Sequence, residues 1–125
     1  MTDTTTKKEY TNDSAEAQAT GTFKLDGEKP PVYRGFIAYF PRAIEAVAGV
    51  SAFGQRKYGT WGGWRGVDDG DGRYSDAEVR HMLGRAKGEV LADDSRLTHL
   101  AHKAWNSMAV LELFLEEQEK GSDPD

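Results

Sequence analysis

Cysteine is absent from the 125 residues, which excludes both a disulfide framework and a thiolate metal site. No apolar run approaches the ~20 residues needed to span a bilayer, so no membrane partner is expected. The opening MTDTTTKKEYTND lacks the apolar core of a secretory signal, and a cytoplasmic location is the default expectation. Basic residues are outnumbered, 16 Lys and Arg against 21 Asp and Glu, for a formal charge of -5. That balance argues against a nucleic-acid duplex as the main partner, because phosphate backbones are held by clustered Lys and Arg. What remains is 38% hydrophobic and 30% charged, a composition that fits a folded domain with polar ends better than disorder throughout.

Residues 1–22 show no apolar periodicity and read as a tail, and residues 118–125 read as a helix fraying into an acidic tail. The patterned region is 23–117. Pro30 and Pro31 favour an extended approach. VYRGFIAYF (32–40) then suits a short strand or an extended segment lying on helices. Pro41 suits a helix start. Ala43, Ile44, Val47, Ala48 and Val50 recur at helical spacing, giving a first helix to about Lys57 that stops near Gly59. GTWGGWRGVDDGDGR (59–73) is a glycine-rich loop long enough to suggest function. Its Asp69-Gly-Asp-Gly-Arg73 run resembles an EF-hand opening, but the glycine is misplaced and calcium is not expected. Ser75 and Glu78 form a capping box for a second helix. Val79, Met82, Leu83, Ala86 and Val90 form its stripe, to an end near Asp93. A third helix, capped by Asp94 or Ser95, carries a core stripe of Leu97, Leu100, Ala101, Ala104, Met108, Leu111 and Leu115. The expected class is all-α, a small helical bundle with an extended N-terminal segment.

Two polar constellations stand out. Glu89 and Asp93, one helical turn apart, can offer carboxylate oxygens to one hard divalent cation, although a lone acidic pair is more often a solvated face. His99, His102 and Asn106 fall within ~60° of one another on the third helix, opposite its leucine stripe. A wet face usually carries Lys and Glu. This stripe suits donors to phosphates, or groups that orient carboxylates. With no His-Glu-x-x-His, a metalloprotease is not expected. Val110, Leu113 and Phe114 make the end of this helix apolar on nearly every side, so a homodimer or higher oligomer is expected to cover it.

In order along the chain stand PRAIEAVAGV, FGQRKYGTWGGW, RYSDAEVRHMLGRAKGE, and then HLAHKAWN after an Asp-x-Ser turn. This ordered set, over about 23–115, resembles the phage dATP/dGTP diphosphohydrolases, relatives of the MazG-like all-α nucleoside triphosphate pyrophosphohydrolases. The resemblance implies cleavage of a purine deoxynucleoside triphosphate to the monophosphate and pyrophosphate. It implies Mg²⁺ or Mn²⁺ at Glu89 and Asp93, a catalytic group of Glu89, Asp93 and His81, and a role in phage nucleotide-pool control in the host cytoplasm. Lys57, Tyr58, Arg80, His99, His102 and Asn106 would bind the substrate. Lys57 and Arg80 can meet phosphate oxygens, and Trp61 or Trp64 can stack on the purine or pack the loop. The chain departs from that pattern at Asp93-Asp-Ser-Arg96, where Asp-x-Glu-Ser-Gly is usual, and in having only Glu45 where a Glu-x-x-Glu pair belongs. Those departures favour a second reading, a protein that binds a nucleotide or nucleotide signal without hydrolysing it.

Overall fold

A computed structural model describes residues 29–121, so the expected tail at 1–22 and residues 122–125 lie outside the described region. The chain divides into two compact units, Met1–Pro41 and Arg42–Asp125. In the first, the segment expected to be extended is instead a π-helical turn, Tyr33–Ile37, closed by Ala38 N–H donating to the Tyr33 carbonyl at 2.7 Å. Gly35 N–H donates to the Pro31 carbonyl at 2.7 Å, so the prolines start a coil rather than a strand. The aromatic and branched residues that suggested a strand express packing preference more than a backbone preference. Here Phe36 and Phe40 meet edge to face at 5.9 Å, a contact that coiling makes possible.

Helix α1 (Pro41–Tyr58) begins at Pro41 and ends at Gly59, whose N–H donates to the Gln55 carbonyl at 2.7 Å, as the sequence indicates. Within the loop that follows, Gly63–Gly66 forms a short 3₁₀ turn. Trp64 on this turn meets Tyr74 at 6.2 Å and Trp105 at 5.6 Å, and the Tyr74 hydroxyl donates to the Trp64 carbonyl at 2.7 Å. Trp105 Nε1 donates to Ser51 Oγ at 2.8 Å. Three aromatic rings thus tie the loop to all three long helices.

Helix α2 (Gly70–Ala86) starts earlier than the Ser75 box implies. Asp69, in the left-handed conformation at φ 53°, accepts from Gly72 N–H and caps the helix first. It also ends earlier. Lys87 is the last half-helical residue and Gly88 turns left-handed at φ 92°. Gly88 N–H donates to the Arg85 carbonyl at 2.9 Å, and Glu89 N–H to the Gly84 carbonyl at 3.0 Å. These two bonds make a Schellman stop. Glu89 and Asp93 are therefore not one turn apart on a helix. They belong to a hairpin-like connection in which Leu91 bridges Thr98 and Ala92 N–H donates to the Leu97 carbonyl at 2.8 Å. Arg96 closes the hairpin at φ 62°, a conformation that costs a side-chain-bearing residue ~1–2 kcal/mol.

Helix α3 (His99–Gly121) is capped by Thr98, whose Oγ1 accepts from Ala101 N–H at 3.0 Å, rather than by Asp94 or Ser95. It continues through four residues expected to be tail. α2 and α3 lie against each other, and the apolar core is small: Val50, Ala92, Ala101 and Ala109. The large residues of the expected stripes are not covered, although Ala101 of the same stripe is buried. Val79, Met82, Leu83, Leu100, Met108, Leu111 and Leu115 are each about half exposed, whereas His99, His102 and Asn106 are buried at 8%, 6% and 5% exposure. Helical periodicity shows that a helix has two faces, but not which of them its own chain covers.

Candidate active site

The Schellman stop decides where the first site residue goes. Its bond from Glu89 N–H to the Gly84 carbonyl sets Glu89 beside the glycine of the last α2 turn. His99, first residue of α3, comes to the same place. A Cβ built on Gly84 would lie 2.6 Å from His99 Nε2 and 3.0 Å from Glu89 Oε1, so only glycine admits this approach. His99 Nε2 is 3.3 Å from Glu89 Oε1, and this buried nitrogen completes no hydrogen bond. The distance is that of an ion pair, but the alignment falls short of a hydrogen bond. The Glu89 side chain remains 56% exposed, an accessible carboxylate on a buried support.

Behind it the three histidines form one cluster. His81 Nδ1 shares a 2.8 Å hydrogen bond with His99 Nδ1, so one ring donates and the other accepts. His81 stacks on His102 with centroids 4.5 Å apart and planes 8° from parallel. His102 Nε2 lies 2.6 Å from Ser95 Oγ, which also accepts from Leu97 N–H at 3.0 Å. Phe53 of α1 meets the His102 ring edge-on at 6.1 Å. Asn106 Nδ2 donates to the His102 carbonyl at 2.8 Å. The helix stripe is thus an internal polar core between α2, α3 and the hairpin. His102 and Asn106, expected at the phosphates, are both buried, and His102 Nε2 and Asn106 Nδ2 bond within the chain.

Burial holds the His81 pKa down at about 4, helped by the neighbouring His102, His99 and Arg80 against the opposing pull of Asp94. Burial also lowers that of His102, with Asp94 opposing and His99 adding to it. Both rings are neutral in the folded chain at pH 7. Because the folded pKa lies below the unfolded value of 6.5, the unfolded chain takes up the proton first. Stability is therefore complete above about pH 6.5 and falls as the pH drops toward 4. The slope is at most ~1.4 kcal/mol per pH unit for each histidine, and smaller for the part-exposed His81. Thermal melts between pH 7.5 and 4.5 should show this fall, and His81→Gln should flatten it. A melting temperature constant across that interval would contradict the burial argument.

Lys57 reaches the hairpin from the end of α1. Its Nζ is 3.8 Å from Asp94 Oδ2 and lies over the rings of Phe53 and Tyr58, at 5.7 Å and 5.3 Å. Tyr58 itself is exposed, and Arg80 is exposed on α2 beside His81. Trp64 belongs to the packing cluster, with the Arg65 guanidinium 4.7 Å over its ring and Arg65 Nε donating to Glu116 at 3.0 Å. Trp61, at 67% exposure, is the tryptophan left open to solvent. Asp93 is exposed in the hairpin turn, and Glu45 is exposed on α1. Among the described residues, no three His, Asp or Glu side chains come together as a metal site. Glu89 and Asp93, where Mg²⁺ or Mn²⁺ is expected, are both exposed. The early helix stop places both in the connection between α2 and α3 rather than on one helical face.

Sequence reasoning passed over Gly84 and Gly88, and read Ser95 as a helix cap rather than as the partner of His102. The signals were present: a glycine inside a helical pattern in MLGRA, and a second one just past it in AKGE. The apolar Val90 outweighed them.

Among the described residues, no helix is long and apolar enough to cross a membrane. Comparison with curated proteins and with solved structures finds no match. Residues 20–123, most of the chain and all of the described helices, match the family described as dATP/dGTP diphosphohydrolase, N-terminal. The histidine cluster, its glutamate and the helices that position them all fall within that match, and the chain belongs to this family.

Proposed function

We propose that this protein hydrolyses a purine deoxynucleoside triphosphate, dATP or dGTP, to the monophosphate and pyrophosphate, as part of phage nucleotide-pool control. The observation that carries the proposal is Glu89, an exposed carboxylate backed by buried His99 on a glycine floor. In this reading Glu89 takes a proton from the attacking water as the bond between the α- and β-phosphates breaks and pyrophosphate leaves. His99 positions Glu89. His81, His102, Ser95 and Asn106 hold His99 and the hairpin in place. Lys57, freed from Asp94, and Arg80 meet phosphate oxygens. Tyr58 flanks Lys57, and the open Trp61 offers its face to the base.

The test is pyrophosphate release from each dNTP and NTP, run in EDTA, in Mg²⁺ and in Mn²⁺ because no three donors converge among the described residues. Release from dATP or dGTP supports the proposal, and no release from any nucleotide refutes it. The same scatter of donors favours a second reading, sequestration of a nucleotide without turnover. Calorimetry that finds tight binding and recovers the ligand unchanged would select that reading.

Two or more copies of the chain are proposed to assemble. Met108, Leu111 and Phe114 line an open groove of about 730 Å³ beside α2, and each is about half exposed. A continuous apolar face of this kind marks an association surface. Sedimentation at micromolar concentration should show a dimer or larger species, and Leu111→Lys should shift it toward monomer. A wild-type monomer would refute the assembly.

A further inference from the structure

The hairpin between α2 and α3 carries a long cationic side chain where the backbone disfavours any side chain. Among the described residues only Asp69 and Arg96 are non-glycine residues with positive φ. Asp69 has a local reason, since its carboxylate caps α2. Arg96 has none: its N–H donates to the Ala92 carbonyl at 2.9 Å, a bond that glycine would make without strain. Its guanidinium is exposed and, among the described residues, forms no ion pair and no ring contact. This holds although Asp93 and Asp94 precede it closely in the chain and Asp94 pairs with Lys57 instead. The turn itself is held by other residues: Ser95 ties it to His102 and to Leu97 N–H, and Leu91 bridges Thr98. Strain kept in a turn that neighbours already determine points to a task for the side chain.

We propose that Arg96 is a substrate-binding residue whose guanidinium grips non-bridging oxygens of the triphosphate. This rests on the reading of the chain as a triphosphate hydrolase. A guanidinium offers a planar fork of donors that matches phosphate geometry, and its charge offsets Asp93, Asp94 and Glu89, which would otherwise repel a polyanion. Ser95, the residue before Arg96, bonds to the histidine cluster that supports Glu89, so Arg96 sits on the same connection that carries the carboxylate.

The experiment titrates inorganic tripolyphosphate and dGTP into the full chain by calorimetry, for wild type, Arg96→Gly and Arg96→Lys, with a thermal melt of each. Arg96→Gly should melt at or above wild type and bind tripolyphosphate about tenfold more weakly, the scale of one charge-assisted contact. Its KM for dGTP should rise by a similar factor with kcat little changed, and Arg96→Lys should fall between. Equal affinity in wild type and Arg96→Gly, or no tripolyphosphate binding by wild type, overturns the assignment. If wild type binds tripolyphosphate through Arg96 yet releases no pyrophosphate from any dNTP, the assignment stands and the hydrolase reading fails.

Discussion

Glu89→Gln should reduce pyrophosphate release by at least about 10²-fold while leaving the melting temperature within a few degrees of wild type, because a positioned proton acceptor contributes ~10²–10⁴ to a rate. Glutamine keeps the shape and can still lie against His99, so the change removes charge and basicity rather than packing. The side chain is more than half exposed, and its contact with His99 is an incompletely aligned 3.3 Å approach, so little folding energy depends on it. Separating activity from stability in this way distinguishes a reaction-centre carboxylate from a structural one. The measurement is pyrophosphate release beside a thermal melt of the same sample. A variant that keeps a tenth or more of wild-type activity would remove Glu89 from the reaction centre.

Gly84→Ala should damage both properties. Alanine is favoured over glycine in a helix interior by ~1 kcal/mol. Here the new Cβ would meet His99 Nε2 at 2.6 Å, His99 Cε1 at 2.7 Å and Glu89 Oε1 at 3.0 Å. Imidazole atoms locked by a 2.8 Å bond to His81 cannot step aside as a flexible chain end would. Overpacking of this kind costs ~1–3 kcal/mol, which offsets or exceeds the helical gain. The expected result is a net loss of ~1–2 kcal/mol together with at least about tenfold lower activity, since Glu89 loses its support. Gly49 on α1 provides the control: nothing lies within 4 Å of a Cβ there, so Gly49→Ala should stabilise by ~0.4–1 kcal/mol. Opposite signs for one chemical change at two helical glycines would establish that the histidine at 99, rather than helix propensity, governs position 84. Denaturant melts of the two variants read the sign directly, and a stabilised, fully active Gly84→Ala would overturn the proposed geometry.

Local chemistry made the helical class legible. Pro41 opens α1 and Gly59 follows its end because both residues act within one turn of chain, where proline sets φ and glycine accepts the left-handed stop. Gly88 had the same legibility and was outweighed by Val90, which placed Glu89 and Asp93 on a helix they do not share. The polar residues of α3 were also visible, since His99, His102 and Asn106 share a face at 100° per residue in any helix.

The sequence by itself therefore determined that three long helices stand in the described residues, which residues share a face, and the ordered motifs that place the chain in its family, though not the ends of α2. Which face turned inward was decided by the tertiary structure alone. The histidine stripe is buried because His81 arrives from α2 and Ser95 from the hairpin to satisfy its polar atoms, while the leucine face stays about half exposed. A buried polar group is stable only with partners, and here those partners lie 7 and 18 residues away in sequence, beyond the reach of any local pattern.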